Sequence, residues 1–468
     1  MDTGRKGVAA DAPTTGLTRP PFLTLRLSLP GAIALAVLLW IIHVTWSFRA
    51  ENPHPIIPDA HDFSYLASHC ADIPPISSAE FTGRQLSLAR MLHSLNASAY
   101  VAEPGANAEF YANISNAQWY LSERPLLLII SPQAQSNANG GFDVQAKVSI
   151  LTPKFEATRA KLMHVPTAGD IEYAEWPEDE DPYEVAISDI LPALKNGNGT
   201  IYVDGNTRNF VVDGLKAAAP QSAVLSAPEE VRQLRERKSK AELDILKCAN
   251  EVTVLAIRAV REKMYIGMHE SKARSLIRTA LSSAGLTSLD SIVLFGENAA
   301  LPHGSGTDRV LNKSDFVLID CGGALHGYSS DVTRTFALNN SEITHDQLSL
   351  WTLVQSAQSA ALSAVHDGAI TKTIDSAART VISNAGYGKY FTHRLGHGIG
   401  LEVHESPYLR GGSDDVIRSG HTFSDEPGIY IEGKVGVRLE DCFYVRETGD
   451  AEFLTAGVGG QARSPWDL

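Results

Sequence analysis

One stretch of the chain has no polar face. Residues 29–46, LPGAIALAVLLWIIHVTW, carry a single ionisable side chain, His43. At ~1.5 Å per residue such a run covers about 27 Å, the thickness of a hydrocarbon core, and predicts one transmembrane helix. Trp40 and Trp46 suit the far interface, and Pro30 stands where a helix start tolerates it. Arg5, Lys6, Arg19 and Arg26 precede the run, and between it and Arg84 only Arg49 is basic. The positive-inside rule therefore predicts a cytoplasmic tail over 1–28, a signal anchor over 29–46 and a lumenal or extracellular body. A cleaved signal peptide, leaving a secreted body, is the alternative. Against it stand the long apolar run and the lack of an A-x-A site after it.

Beyond the anchor, residues 47–75 are rich in Pro and His and read as a stalk. From Glu80 to Leu95, apolar residues Leu86, Leu88, Ala89, Leu92 and Leu95 recur at helical spacing. Strand-like runs follow at Ala99–Val101, Leu126–Ser131 and Thr200–Val203, so residues 76–225 read as a small α/β domain. The acidic run WPEDEDPYE, Trp176 to Glu184, reads as a solvated loop before a helix. Ser226-Ala-Pro-Glu229 has the form of a helix cap and opens a helical pattern through Met264, the start of a second domain over 226–468. The closing GVGGQARSPWDL lacks an apolar pattern and is expected on the surface.

Composition narrows the function classes. The chain of 468 residues has 40 Lys+Arg against 54 Asp+Glu, a net charge of -14, which leaves no basic surface for nucleic acid. Cys70, Cys248, Cys321 and Cys442 are too widely spaced to suggest a disulfide scaffold or a zinc knuckle. Five Asn-x-Ser/Thr sequons, at Asn96, Asn113, Asn198, Asn312 and Asn339, suit an N-glycosylated body outside the cytoplasm.

The second domain places carboxylates inside apolar runs. FVLIDCGG puts Asp320 at a strand end, and GYSSDVTRTFAL puts Asp331 in the next strand. A hairpin turning at Leu325-His326 would set the two opposite each other, their Cβ atoms about 5 Å apart. In SDEPGIYIEGKVGVRLEDCFYV the midpoint of Glu426 and Glu440 is Gly433, so a turn at Gly433-Lys434 pairs those two as well. Bulges can shift either register by a residue. Burying two carboxylate pairs is costly without a compensating cation. HRLGHGIGLEVHE adds His393, His397 and His404 among glycines that let the backbone bend. Four carboxylates and an imidazole suit two divalent ions of the Mn, Co, Fe or Zn type, and hence metal-assisted hydrolysis. No H-E-x-x-H, Walker A, dinucleotide or G-x-S-x-G motif competes.

These segments resemble the pita-bread-fold metallopeptidases, the group of methionine aminopeptidase, prolidase (Xaa-Pro dipeptidase), aminopeptidase P and the metal-free creatinase. The likeness covers nearly all of residues 230–455 through ALPHG, LIDCGG, GYSSDVTRTF, HRLGHGIGLEVHE, DEPGIYIEG and VRLED. Residues 80–225 look like the N-terminal domain of the prolidase, aminopeptidase P and creatinase branch. The resemblance implies an α/β (α+β) chain with a pita-bread catalytic domain. It implies Asp320, Asp331, His397, Glu426 and Glu440 as ligands of two metals, Mn2+ first, with Asp331 and Glu440 bridging. A water or hydroxide between the metals would attack the scissile carbonyl. His303, His393 and His404 take substrate-contacting or intermediate-stabilising positions, and Arg438 stands near the bridging glutamate. Cys321 is expected as buried packing. Asp425 is a departure, expected to face away from the metals into the surrounding shell or solvent.

The resulting expectation is an Xaa-Pro aminopeptidase acting on peptides with proline second, with prolidase as the alternative and a homodimer as the family's usual assembly. A non-catalytic binding protein and an amide hydrolase for a peptide-derived metabolite are the rival readings.

Overall fold

The computed structural model describes residues 62–136, 142–304 and 307–468. The expected tail, the expected signal anchor and residues 47–61 of the expected stalk lie outside the described residues. Among the described residues no helix is long and apolar enough to cross a membrane.

Residues 62–75 are not a stalk. A short 3-10 turn, Ser64–Ser68, buries Phe63 and Leu66 in the apolar cluster built on the helix Lys240–Arg261. The sulfur of Cys70 pairs with that of Cys248 on this helix, across 178 residues of sequence. The wide spacing that argued against a disulfide concealed one staple. Cys321 and Cys442 are free and buried, as packing requires.

The first sheet contains β1 (Ala99–Ala102), β2 (Leu127–Ser136), β3 (Phe142–Pro153), β4 (Glu172–Trp176), β5 (Thr200–Val203) and β6 (Ala223–Ser226), in the order β4-β3-β2-β1-β5-β6. In β1, Ala99 and Val101 enter the cluster on one face, Tyr100 and Ala102 that on the other. Both faces are therefore covered, which is why the strand reads as an unbroken apolar run. The helix Ser78–Ser94 lies over one face, its Leu88 and Leu92 in the same cluster as Tyr100. The acidic run is a solvated loop as expected, and Asp181 caps the helix Pro182–Val185 by accepting from the N–H groups of Tyr183 and Glu184.

The expected long helix from Ser226 to Met264 is two helices, Glu229–Glu236 and Lys240–Arg261. Ser226 ends β6 and caps nothing. The break comes at 237–239, where Arg237 bridges to His421 and the Lys238 N–H donates to the Gly420 carbonyl. Ser239 and Glu242 then form a capping box that starts the second helix.

The remaining strands divide into small curved sheets. β7 (Thr287–Phe295), β8 (Val317–Leu325) and β10 (Val332–Phe336) align as β10-β8-β7, with β9 (Tyr328–Ser329) extending the β8 hairpin. β11 (Gly396–Gly398), β12 (Glu405–Leu409), β13 (Thr422–Asp425), β16 (Asp441–Val445) and β17 (Ala451–Phe453) run β12-β11-β13-β16-β17, and β14 (Gly428–Ile431) pairs with β15 (Val435–Arg438). The helices Lys240–Arg261 and Glu270–Ser283 share one apolar cluster, and His345–Ala364 and Thr371–Asn384 share another. The C-terminus is only partly superficial. Trp466 is exposed, but Leu468 joins the core and its carbonyl accepts from Arg258 Nε at 2.7 Å.

Candidate active site

The β8–β10 hairpin sets the first pair of carboxylates. Its turn is His326-Gly327, with φ of 48° and 86°, one residue later than expected. A two-residue hairpin needs positive φ at both central positions, which Gly327 supplies without strain. Thr333 therefore faces Asp320, and Asp331 is a diagonal neighbour. A shift of two residues in the partner preserves the face, so both aspartates still look the same way. Gly322 is required here, because a Cβ would fall 1.9 Å from the Ser330 carbonyl oxygen.

The second pair follows the expected register. Gly428 pairs with Arg438 in one sheet and Asp425 with Asp441 in the other, so Glu426 stands opposite Glu440 between them. Gly433 makes the turn at φ 68°. His397 on β11 completes the set.

Three overlapping groups place ligand atoms within 4.8 Å of one another: Asp320, Asp331 and Glu440; His397, Glu426 and Glu440; and Asp331, His397 and His404. His397 Nε2 is 3.2 Å from Glu426 and 3.6 Å from Asp331. Its Nδ1 is 3.0 Å from the Gly398 carbonyl, which only accepts, so Nδ1 carries a proton and Nε2 is left to face the carboxylates.

The electrostatics call for a cation. Burial first, then Asp320 and Glu426, raises Asp331 well above the usual carboxylate range. Glu440 is raised by burial and by Asp331. Burial also acts on Glu426, but the hydrogen bond and charge of His397 hold it at about 2. Glu440 Oε1 is buried without a hydrogen-bond partner. An orphaned acceptor among carboxylates fits a divalent ion, and oxygen with imidazole donors suits the Mn, Co, Fe and Zn class.

Arg438 is the balancing guanidinium. Nη2 bonds Asp320, Nε donates to Thr333 Oγ1 at 3.1 Å, and Nη1 donates to the Tyr430 hydroxyl at 3.0 Å. Thr333 Oγ1 in turn donates to Glu440 Oε2 at 2.6 Å. Arg438 thus touches Asp320 directly and reaches Glu440 through Thr333.

The three other histidines differ. His404 stacks edge-on to His397 with centroids 4.3 Å apart, and burial, His397 and Arg394 lower its pKa. His303 and His404 both line a cleft of about 120 Å³ with Asp320 and Asp331. His393 is set back. Its Nδ1 donates to the Arg394 carbonyl at 2.6 Å, its Nε2 lies 2.9 Å from the Tyr430 hydroxyl, and burial lowers its pKa. Its hydrogen bonds run to Asp320 through Tyr430 and Arg438.

Asp425 does face away from the ligands, but not into solvent. Both its oxygens are buried without a partner, and burial raises its pKa well above the ordinary value. Thr333 and Tyr430 escaped the sequence reading. Thr333 had a usable signal, since it lies two residues beyond Asp331 on the same strand face. Tyr430 had none, because its bonds to His393 and Arg438 depend on tertiary contacts.

A larger cavity, about 1340 Å³ and walled by Arg84, Lys238, Glu242 and Tyr444, is lined by none of these residues. The convergence of carboxylates and imidazoles, not cavity size, marks the candidate site.

The chain is similar to known proteins over most of its length. Residues 244–447 match the model of metallopeptidase family M24. An uncharacterized peptidase of Schizosaccharomyces pombe is 40% identical over 396 residues, covering 84% of each chain. The Xaa-Pro dipeptidase of Pyrococcus furiosus is 33% identical over 263 residues, 56% of this chain and 75% of that one. A crystal structure of prolidase from Thermococcus sibiricus superposes with a TM-score of 0.69 at 26% identity, over 82% of this chain and 98% of the other.

Proposed function

The chain belongs to metallopeptidase family M24, with a mixed α/β pita-bread-like fold, and from that premise we propose that it is a proline-directed exopeptidase hydrolysing the bond between an N-terminal residue and proline. The observation that carries the reading is the meeting of Asp320, Asp331, His397, Glu426 and Glu440 around the unpartnered Glu440 Oε1. These five would hold two divalent ions, Mn2+ first, with Asp331 and Glu440 common to both. Bound there, the ions supply a Lewis acid for the scissile carbonyl and make water acidic enough to serve as nucleophile near neutral pH.

The chain's own groups do the rest. Arg438 and Thr333 fix the carboxylates of Asp320 and Glu440, so the site is ordered before substrate arrives. His303 and His404, on the cleft wall, contact the peptide. Neutral His404 can donate one N–H to a carbonyl oxygen that gains charge. The Arg438–Tyr430–His393 chain of hydrogen bonds holds the guanidinium that bonds Asp320.

The dipeptidase reading takes its support from the names of the Pyrococcus and Thermococcus relatives; the aminopeptidase reading differs only in how much chain the cleft accepts beyond proline. The lumenal or extracellular placement and the anchor belong to the same proposal. Their support is the 29–46 run, the Cys70–Cys248 pair, which suits an oxidising compartment, and the exposure of Asn96, Asn198, Asn312 and Asn339. Asn113 is half-buried and its amide donates to the His164 carbonyl.

The deciding experiment loads the purified full-length chain with Mn2+ and offers an Xaa-Pro dipeptide beside an Xaa-Pro-Xaa tripeptide. Release of the first residue from the tripeptide makes it an aminopeptidase; cleavage of the dipeptide alone makes it a dipeptidase. Two bound metals with both peptides intact would remove the proline specificity and favour a metabolite amide. A chain that binds no metal would be a binding protein.

A further inference from the structure

We propose that Lys238 and Arg235, in the segment joining the first sheet to the metal-binding half, are positioning residues that hold Glu405 and through it the loop presenting His404 to the substrate. The proposal rests on the peptidase reading for what His404 does, though not for how it is held.

Lys238 Nζ is 2.8 Å from Glu405 Oε1, and each side chain is only 2% exposed. The same ammonium donates to the Glu236 carbonyl at 2.9 Å. Arg235 Nη2 lies 3.3 Å from Glu405 Oε2 and also bonds Glu402. On the other side of the loop, Ser406 Oγ donates to Glu236 Oε1 at 2.6 Å. Arg235, Glu236 and Lys238, three of the four residues before the capping box, thus grip both flanks of His404.

Glu405 is the chain neighbour of His404 and the cross-strand partner of Gly398, one residue from His397. His404 is exposed apart from its edge-on contact with His397, so where its ring sits depends on the backbone that carries it. Packing leaves that backbone little freedom. A Cβ at Gly400 would fall 2.7 Å from Lys238 Cε and 2.8 Å from Glu405 Oε1. The clamp also reaches the first sheet, because Asn206, just after β5, donates to Glu402 Oε1 at 3.2 Å. Arg235, Asn206, Glu402, His404 and Glu405 share the wall of one cavity of about 320 Å³.

Chemistry distinguishes this arrangement from ordinary packing. A buried ammonium and carboxylate with a largely buried guanidinium beside them are a poor way to gain stability, since apolar side chains of similar volume do as well. What a buried, directional pair does provide is a fixed register. Burial acts to raise the Glu405 pKa, yet Lys238 and Arg235 hold it below the ordinary value, so the carboxylate stays charged and bound.

The test uses the full-length chain and four variants: Lys238→Met, Lys238→Arg, His404→Ala, and Lys238→Met with His404→Ala. Lys238→Met is expected to bind as much Mn2+ as wild type while kcat/KM on an Xaa-Pro substrate falls about tenfold or more, chiefly in kcat. Lys238→Arg should restore most of it. In the His404→Ala background the Lys238→Met loss should vanish, because the two act as one unit. Losses that multiply would overturn the proposal. A second readout needs no activity. In the metal-free chain with 13C-labelled histidine, the His404 resonance, identified by its loss in His404→Ala, should shift in Lys238→Met. An unmoved resonance overturns the assignment too. If Lys238→Met does not fold, Lys238→Met with Glu405→Gln leaves no unpaired charge at that position and is read in the same two ways. A wild type that binds metal but cleaves no peptide sinks the peptidase reading alone, and the resonance still decides the clamp.

Discussion

Glu426 and Glu440 stand opposite each other in a register that passes unbroken from one sheet into another. Asp425 pairs with Asp441 on one side of them and Gly428 with Arg438 on the other. At that seam, the two side chains meet His397, Asp331 and Asp320. Four carboxylates against one guanidinium leave an excess of negative charge, and the consequences can be measured.

The ligand set is tested by deletion. His397→Ala or Asp331→Ala is expected to abolish peptide hydrolysis and to lose at least one bound metal, read by metal analysis of the purified protein. Full activity in either variant would end the assignment.

Thr333→Val keeps the shape of the side chain but removes the donor to Glu440 and the acceptor for Arg438. Loss of an outer hydrogen bond of this kind lowers activity or metal affinity about 10- to 100-fold. Metal titration with steady-state kinetics would show it; wild-type values would mean that Glu440 needs no such support.

The raised pKa values give a pH slope. Asp331 and Glu440 stand well above their ordinary 3.8 and 4.5, burial being the larger cause in each. Such a group stabilises the metal-free fold fully below its unfolded pKa, and that contribution is lost as pH rises through the folded value. Asp425 adds to the same slope, whereas Glu426, held at about 2, contributes stability that is lost only as pH falls toward 2. Metal-free wild type should therefore lose melting temperature relative to Glu440→Gln as pH rises above about 5. Added Mn2+ should reverse the trend in wild type, because binding requires the deprotonated carboxylates. Thermal melts of both proteins with and without Mn2+ decide it, and parallel curves for the two metal-free proteins would refute it.

The Cys70–Cys248 link ties residues 62–75 to the helix Lys240–Arg261. Cys70→Ser is expected to cost about 2–5 kcal/mol of stability, seen as a lower melting temperature that a reductant reproduces in wild type. Non-reduced peptide mapping should recover the two cysteines in one linked peptide. Free thiols at both positions in protein from an oxidising compartment would contradict the pairing.

Much of the site was legible because its parts are local. A hairpin's register follows from its turn, and Gly433 marked the turn that pairs Glu426 with Glu440. The same logic misplaced the turn at Leu325-His326, since it did not weigh which residue accepts positive φ; Gly327 does, and the correction brings Thr333 opposite Asp320. The helical pattern from Ser226 ran on because periodicity continues across 237–239. Contact with residues 419–421 breaks it there, and the Ser239–Glu242 capping box, a local signal the reading passed over, starts the second helix.

The sequence by itself determined the face that each carboxylate pair presents, because alternation along a strand and the glycine at a turn fix face and register over a few residues; the choice of His397 among three histidines came from the family resemblance. Tertiary structure alone decided their partners. Cys248 for Cys70, Tyr430 for His393 and Lys238 for Glu405 lie 37 to 178 residues away. No local period encodes contacts at such separations; they exist only once the sheets and helices have packed.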